Sequence, residues 1–176
     1  MKNLLIIVDF QNDFVSGSLG FENALKIENA IINKFKIYEK NNDDIVFTID
    51  CHEDDYLSSI EGQNLPIKHC IKNTKGIEIY GALNDLSKNY KKFYKNTFGS
   101  LELANFIATK NYKNIELVGL VSNICVFSNA IMAKSASPNS NILIDASATS
   151  SNDLFMQKIS FEVLKNLHIQ IINDGL

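Results

Sequence analysis

Three separated residues, Asp9, Lys95 and Cys125, are of the types that cysteine-based nucleophilic catalysis requires. A cysteine thiol is mostly protonated near neutral pH, so it needs a base and a positive neighbour to become a nucleophilic thiolate. Asp9 could accept the proton and Lys95 could supply the charge. Taken singly, a turn aspartate, a solvated lysine and a buried cysteine are ordinary structural residues. The prediction of a catalytic set therefore depends on a fold that brings the three together.

A second group, Asp50, His52 and His69, could bind a divalent metal ion. Residues two apart in an extended segment point to the same face, so Asp50 and His52 could share one ion. One carboxylate and two imidazoles suit Zn²⁺, Mn²⁺ or Fe²⁺. Two alternatives stay open, namely a polar loop with unrelated histidines and a structural zinc site that adds Cys51 and Cys70. Adjacent residues of an extended chain point to opposite faces, which makes the four-ligand zinc site awkward.

Short apolar strands alternate with amphipathic helices between these residues. The pattern predicts strands over residues 4–8, 45–49, 92–95, 115–119, 141–145 and 169–172. It predicts helices over residues 22–39, 101–109 and 153–167, and a further helix that begins near Cys125. This alternation is typical of an α/β fold with three layers, in which helices cover both faces of a mostly parallel six-stranded sheet. The length of 176 residues suits a single domain, residues 1–176.

The predicted strands bring the chemical residues to one edge of the sheet. Asp9 follows the first strand, while Asp50 and Lys95 follow or end the second and third. Cys125 lies after the fourth strand, where backbone N–H groups at the helix start could hold an oxyanion. Ligands of parallel sheets bind outside the carboxyl ends of the strands. The polar stretch 50–81 is too long for an ordinary connection and is therefore a candidate functional loop.

The composition argues against several classes of partner. The net charge is −3 and all 17 basic residues are lysine, which argues against nucleic-acid binding. No apolar run approaches the roughly 20 residues that span a bilayer, and the apolar start is too short for a signal peptide. We therefore expect a cytoplasmic protein. In that compartment Cys51, Cys70 and Cys125 are thiols or ligands rather than a disulfide framework.

The segments DFQNDF, KNTFGS and GLVSNICV together resemble the isochorismatase-like cysteine hydrolases, over nearly the whole chain. In that family an Asp, a Lys and a Cys in a G-x-x-[ST]-x-x-C segment form the catalytic triad. They map onto Asp9, Lys95 and Cys125 in this sequence. The resemblance also implies the family's Rossmann-like fold and a cis peptide bond between Leu120 and Val121. It further implies an oxyanion hole formed by the backbone N–H groups of Val121 and Cys125.

The D-x-H pair and the later L-P-x-x-H-C segment resemble the metal-binding loops of nicotinamidases, a branch of that family. This resemblance implies Asp50, His52 and His69 as ligands of a divalent metal ion, zinc first and manganese or iron as alternatives. Some relatives add a glutamate, for which Glu61 is the candidate. The sequence DCHEDDY departs from the family's D-W-H-P-x-x-H by lacking the Trp, the Pro and the second His. Phe14 could be a wall of the substrate pocket or a core aromatic residue.

These features predict a metal-dependent amidohydrolase that cleaves a small carboxamide through a thioester, with nicotinamide to nicotinate and ammonia as the first choice. Such an enzyme would act in NAD salvage. One alternative is a related hydrolase of the same family that acts on another small amide, such as a ureido or carbamoyl compound. Another is a metal-binding or interaction protein that uses the same fold without turnover. We expect a small amide substrate and a homo-oligomer, and neither nucleic acid nor a membrane as partner.

Overall fold

A single six-stranded sheet forms the centre of the structure, a computed structural model that describes residues 1–175. The strands in chain order are β1 (Leu4–Val8), β2 (Asp44–Asp50), β3 (Lys91–Lys95), β4 (Asn114–Leu120), β5 (Asn141–Ser150) and β6 (Gln170–Ile172). Their order across the sheet is β3-β2-β1-β4-β5-β6, and every neighbouring pair is parallel. The predicted parallel sheet of six strands is confirmed.

Helices follow the strands and alternate with them along the chain. They are α1 (Asn12–Val15), α2 (Glu22–Lys26), α3 (Glu28–Lys40), α4 (Ile60–Asn64), α5 (Ala82–Leu86), α6 (Leu101–Ala108), α7 (Phe127–Ala136) and α8 (Leu154–Asn166). The longest, α3 and α8, have 13 residues each. A bilayer-spanning helix needs roughly 20. Within residues 1–175, no helix is both long enough and apolar enough to cross a membrane.

The central strand β1 is buried on both of its faces. Leu4, Ile6 and Val8 pack into a core that includes residues of α6, α7 and α8. Leu5 and Ile7, which point the other way, pack into a second core with residues of α2, α3 and α5. This alternation follows from the two-residue period of a strand. Because helices cover both faces, the strand reads as an unbroken apolar run, and the predicted three-layer architecture is confirmed.

Two elements differ from the sequence prediction. The helix predicted over residues 22–39 is two helices, α2 and α3, which meet at the buried Ile27. Strand β5 continues to Ser150 instead of ending near residue 145, because a register shift lets Gly119 pair with Thr149. Gly119 has a φ of 107°, and a side chain there would collide with the carbonyl oxygen of Val8. A glycine is therefore required where β4 passes β1 near the end of the sheet.

Candidate active site and metal centre

Four of the predicted residues lie at the carboxyl ends of adjacent strands. Asp9 directly follows β1, and Asp50 and Lys95 are the last residues of β2 and β3. Cys125 follows β4 in a π-helical turn, Ser122–Val126, that continues into α7. Because β3, β2, β1 and β4 are neighbours in the sheet, these side chains meet at one edge. The structure thus brings the residues together as the strand pattern predicts.

The ammonium group of Lys95 contacts both Asp9 and Cys125. Its Nζ atom is 2.6 Å from Asp9 Oδ2 and 3.7 Å from Cys125 Sγ. It also donates a hydrogen bond to the main-chain oxygen of Thr97 at 2.9 Å. The exposed fractions of Asp9, Lys95 and Cys125 are 0%, 7% and 6%. Charges in so dry a site interact much more strongly than charges in water.

Thr48 fixes the orientation of the Asp9 carboxylate. Its hydroxyl donates to Asp9 Oδ1 at 2.6 Å, and its carbonyl oxygen accepts from the Asp9 N–H at 3.2 Å. Asp9 itself has a φ of 44°, in the left-handed region that aspartate tolerates better than most residues. The sequence reading missed Thr48. Its position two residues before Asp50 on β2, and hence on the same face, is the signal that could have found it.

Burial controls the protonation of this site. It raises the pKa of Asp9 above the ordinary value of 3.8, and the charge of Lys95 opposes that rise without cancelling it. Burial also raises the pKa of the Cys125 thiol, which Lys95 lowers and Asp9 raises further. Burial would lower the pKa of Lys95, but its anionic neighbours hold that pKa well above the usual value. The resting thiol is therefore protonated, and its proton must leave before the sulfur can attack.

The turn that carries Cys125 is closed by main-chain and side-chain hydrogen bonds. The peptide bond between Leu120 and Val121 is cis, as the family resemblance implies. The Val121 carbonyl oxygen accepts the N–H of Val126 at 3.2 Å. The Asn129 side chain in α7 donates to the carbonyl oxygen of Cys125 at 2.8 Å. These contacts fix the backbone around the Cys125 sulfur.

Asp50, His52 and His69 form a compact cluster beside the first group. Asp50 Oδ2 is 3.0 Å from His52 Nε2 and 3.4 Å from His69 Nε2, and all three residues are buried. The other carboxylate oxygen of Asp50 is 3.4 Å from Lys95 Nζ, so the two groups are in contact. Glu61, in α4, places Oε1 3.8 Å from the His52 nitrogen and 3.7 Å from the His69 nitrogen.

The donor atoms of this cluster fit a divalent metal ion. Metal–ligand bonds of about 2.0–2.2 Å separate neighbouring ligand atoms by roughly 3–3.5 Å, close to the spacings found here. The second ring nitrogen of His69 lies 2.8 Å from the carbonyl oxygen of Ile67, which leaves Nε2 for an ion. Burial would raise the pKa of Asp50, but hydrogen bonds with the two histidines and the charge of Lys95 hold it well below the usual range. The carboxylate is therefore ionised, as a ligand must be.

The geometry excludes the four-ligand structural zinc site. In the described part of the chain, the group with metal-binding spacing consists of Asp50, His52 and His69, and neither Cys51 nor Cys70 belongs to it. Cys70 is completely buried, and burial raises the pKa of its thiol, with nearby carboxylates adding to the rise. The two histidines also lie together, so they are not unrelated residues of a polar loop.

An open cavity of about 1100 Å³ borders both groups. Its walls include Lys95, His52 and Glu61, together with apolar and aromatic side chains that the sequence reading missed: Tyr56, Tyr94, Phe98 and Ile124. Tyr94 and Ile124 directly precede the catalytic candidates Lys95 and Cys125, which is the signal that could have found them. Phe14 is half-buried against the core, and its ring centroid is 5.5 Å from that of His69. Phe14 therefore borders the cluster of candidate metal ligands, but it is not among the residues that line the cavity.

Comparisons with known proteins agree on one family. A model of the isochorismatase domain matches residues 3–173. The uncharacterized isochorismatase family protein PncA of Bacillus subtilis (strain 168) is 30% identical over 145 residues, covering 76% of this chain and 79% of that protein. The crystal structure of nicotinamidase PncA from Bacillus subtilis is 28% identical with a TM-score of 0.85, covering 97% and 99% of the two chains. Pyrazinamidase of Pyrococcus horikoshii in complex with zinc is similar in fold, with a TM-score of 0.85 at 23% identity over 98% and 99% of the chains.

Proposed function

Since the chain belongs to the isochorismatase family, we propose that it is a metal-dependent cysteine amidohydrolase of the nicotinamidase type, with nicotinamide as its substrate. The observation that carries this proposal is the contact between the two groups, where Lys95 Nζ lies 3.4 Å from Asp50 Oδ1. Nicotinamide has a carboxamide and a ring nitrogen at a fixed separation. The Cys125 thiol would react with the carboxamide, while a metal ion held by Asp50, His52 and His69 would bind the ring nitrogen. The similarity to a Bacillus subtilis nicotinamidase supports this choice.

In the first half of the proposed reaction, Asp9 accepts the proton of the Cys125 thiol. The sulfur attacks the carboxamide carbon and forms a tetrahedral intermediate. The backbone N–H groups of Val121 and Cys125 hold its oxyanion. Asp9 then gives the proton to the departing nitrogen, so ammonia leaves and a thioester remains.

In the second half, water replaces ammonia at the same position. Asp9 takes a proton from the water, the resulting hydroxide attacks the thioester carbon, and the C–S bond breaks. The acid product leaves and the Cys125 sulfur recovers its proton. Lys95 stays protonated throughout, because the negative charges around it hold its pKa high. Its charge balances the anionic carboxylate, thiolate and oxyanion in turn.

The metal would be held by Asp50, His52 and His69, with Glu61 as a fourth ligand. When bound, it would supply a Lewis-acidic contact to the ring nitrogen and so orient the carboxamide toward Cys125. Zinc is our first choice, because the donor set of imidazole and carboxylate suits it and a Pyrococcus horikoshii relative was crystallised with zinc. Manganese and iron suit the same donors.

A larger ureido or carbamoyl substrate is the second candidate, and the cavity is the observation that favours it. A volume of about 1100 Å³ is slightly above the usual range for small-molecule sites, roughly 300–1,000 Å³. A role in NAD salvage, a cytoplasmic location, a homo-oligomer and a single-domain organisation stay predictions. The full set of Asp9, Lys95 and Cys125 in contact argues against a non-catalytic protein on the same fold.

Ammonia release from nicotinamide tests the proposal. The purified protein is stripped with a chelator, reloaded with Zn²⁺, Mn²⁺ or Fe²⁺ in separate samples, and compared with Cys125→Ala carrying the same metal. We expect turnover only with metal and with the cysteine present. A carbamoyl compound larger than nicotinamide, assayed in parallel, separates the two substrate candidates. Undiminished hydrolysis in the presence of chelator would overturn the metal dependence, and turnover by Cys125→Ala would overturn the thioester route.

A further inference from the structure

The chain leaves the sheet at Asp9, and this removes a neighbour from Asp50. The parallel pairing of β1 with β2 ends at Val8 and Thr48. Asp50 comes two residues later and still pairs with Lys95 of β3 on its other side. Its N–H and C=O groups on the β1 side would have no strand partner there. Buried main-chain groups without partners are strongly unfavourable, so a substitute is needed.

The side chain of Gln11 is that substitute. Its Oε1 accepts the N–H of Asp50 at 2.8 Å, and its Nε2 donates to the Asp50 carbonyl oxygen, also at 2.8 Å. Nε2 donates its second hydrogen to the carbonyl oxygen of Ile77 at 2.9 Å. A glutamine amide has the same donor and acceptor as a peptide group, so it can complete a strand ladder. Gln11 is completely buried, and these contacts hold the Asp50 main chain at both its N–H and its carbonyl oxygen.

Asp13 makes the matching contact with the loop that carries His69. Its Oδ2 accepts the N–H of Cys70 at 2.8 Å, and Cys70 has a left-handed φ of 47°. A side chain at Gly17 or at Gly76 would collide with this carboxylate. Two glycines thus leave the space in which Asp13 reaches the backbone next to His69.

The Cys70 peptide passes this constraint on to the third ligand. The Cys70 carbonyl oxygen accepts the N–H of His52 at 3.0 Å, and the His52 carbonyl oxygen accepts the N–H of Lys72 at 2.8 Å. The segments that hold His52 and His69 therefore pair with each other, and Asp13 anchors the pair at Cys70. All three ligands are connected to the short segment that follows β1.

We propose that Gln11 and Asp13 are positioning residues of the metal centre, Gln11 for Asp50 and Asp13 for the two histidines. This inference rests on the proposed function, because it assumes that the cluster binds a metal ion. Every second residue of this segment then has a role in the proposed active site. Asp9 takes part in the reaction, and Gln11 and Asp13 hold the metal ligands in place. Outer contacts that orient ligands typically change metal affinity by roughly 10- to 100-fold when removed.

The test for Gln11 is the zinc dissociation constant of the metal-stripped protein, measured by calorimetry with Zn²⁺ alone. Gln11→Met keeps the length of the side chain and removes its three hydrogen bonds. Asn129→Leu is the matched control, because Asn129 is also a buried amide with three main-chain bonds, to Ser100, Phe98 and Cys125. We expect Gln11→Met to weaken zinc binding by at least about tenfold, while Asn129→Leu loses thermal stability but keeps its zinc affinity.

The test for Asp13 separates the hydrogen bond from the charge. Asp13→Asn keeps an acceptor for the Cys70 N–H, and Asp13→Ala does not. We expect about tenfold weaker zinc binding in Asp13→Ala and recovery of most of it in Asp13→Asn. Asp153→Ala is the control, since Asp153 accepts a main-chain N–H at the start of α8, from Met156 at 2.9 Å. If Gln11→Met does not fold, the Asp13 pair carries the test alone.

The outcomes distinguish this inference from the function on which it rests. If the wild-type protein binds zinc and the folded Gln11 and Asp13 variants bind it equally well, the positioning role is wrong and the metal site stands. Equal weakening in Asn129→Leu or Asp153→Ala would show a general loss of stability and would also overturn the role. A wild-type protein that binds no zinc, manganese or iron would overturn the metal site and the inference with it.

Discussion

Asp9 influences the Cys125 thiol in two opposite ways. As a base it would remove the thiol proton, yet its negative charge and its hydrogen bonding raise the pKa of that thiol. Lys95 has the opposite influence and lowers the pKa of Cys125. Loss of the Asp9 carboxylate would have one effect if Asp9 only pairs with Lys95, and another if Asp9 also transfers protons. The two roles can therefore be separated by experiment.

We predict that Asp9→Asn makes Cys125 more acidic and the enzyme slower. Without the carboxylate, burial and the charge of Asp50 still raise the pKa of Cys125, but the effect of Lys95 is no longer opposed by Asp9. Alkylation of Cys125 by iodoacetamide should therefore extend to lower pH than in the wild type. Amide hydrolysis should fall by at least about 10²-fold, because the proton carrier is gone. Cys51 is an internal control, since burial raises the pKa of its thiol and its charged neighbours are Glu53, Lys72 and Asp50. Hydrolysis within tenfold of the wild-type rate would contradict the role of Asp9 as base.

At the scale of single residues, the sequence predicts the proposed reacting residues better than the residues that hold them in place. Asp9, Lys95 and Cys125 have distinctive chemistry, and their order along alternating strands brings them to one edge. Thr48 and Gln11 are common polar residues whose importance comes only from what they contact. Nothing in the local sequence around Gln11 indicates that its side chain completes the main-chain hydrogen bonds of Asp50 in β2. Such contacts depend on tertiary geometry and are not encoded in local spacing.

At the scale of elements, the segment 51–81 supplies two of the three candidate metal ligands, His52 and His69, and has little regular secondary structure. It contains α4 and two short 3₁₀ turns, Tyr56–Ser58 and Lys75–Ile77. Its long polar composition predicted a functional loop, and it holds His52, His69 and Glu61. Its internal pairing rests on a single isolated bridge between His52 and Ile71. A metal ion would therefore be a major source of local order.

We predict that metal binding stabilises this segment more than the sheet. Zinc at 100 times its dissociation constant adds about 2.7 kcal/mol of stability, which corresponds to a rise in melting temperature of roughly 5–11 °C for a chain of this size. Hydrogen exchange followed by mass spectrometry should show slower exchange in residues 51–72 on zinc addition, with little change in β1 and β4. In His52→Ala both effects should vanish. Uniform slowing across the whole chain, or none in this segment, would contradict the prediction.

The boundaries of elements were less predictable than their existence. The sequence pattern predicts a strand over residues 141–145, and after that point Ala, Ser and Thr replace the branched apolar residues. The last residues of β5 are nevertheless paired with β4 after the register shift. The break between α2 and α3 likewise lies inside a continuous helical pattern, since Ile27 is buried and belongs to the apolar series of both helices. Both the end of β5 and the break between α2 and α3 depend on packing in the folded protein, which the local sequence pattern does not show.

At the scale of the whole molecule, a polar network connects α3 to strands β4 and β5 of the sheet. Lys34 Nζ lies 2.7 Å from Glu116 Oε1 in β4 and 2.7 Å from Asp145 Oδ2 in β5. Tyr38, one helical turn later, donates to the second oxygen of Glu116 at 2.7 Å. The sequence reading treated these residues as ordinary members of helix and strand. They nevertheless join the helix layer to two strands through charge, across an interface that is otherwise apolar.

We predict that Lys34→Met destabilises the fold by about 3 kcal/mol, because it leaves two buried carboxylates without their cation. That value is at the low end for a broken buried ion pair, since the Lys34 side chain is 23% exposed. The melting temperature should fall by roughly 6–12 °C. Lys2→Met is the matched control: its pair with Asp44 is exposed, so the loss should stay below about 1 kcal/mol.

The pH dependence of this destabilisation identifies its cause. Burial would raise the pKa of Asp145, but hydrogen bonds from Lys34, Ser147 and Asn173 outweigh burial and lower it. A lowered folded-state pKa contributes stability above the unfolded value of 3.8, and this contribution is lost as the pH falls through the folded-state pKa. In Lys34→Met, Asp145 has lost its cation and takes up a proton at higher pH than in the wild type. Protonation relieves the repulsion between the carboxylates of Asp145 and Glu116. The difference in unfolding free energy between wild type and Lys34→Met, measured by urea titration, should therefore be largest near neutral pH and shrink in acid. A difference that stays constant down to about pH 3 would mean that the lysine contributes by packing and not by charge.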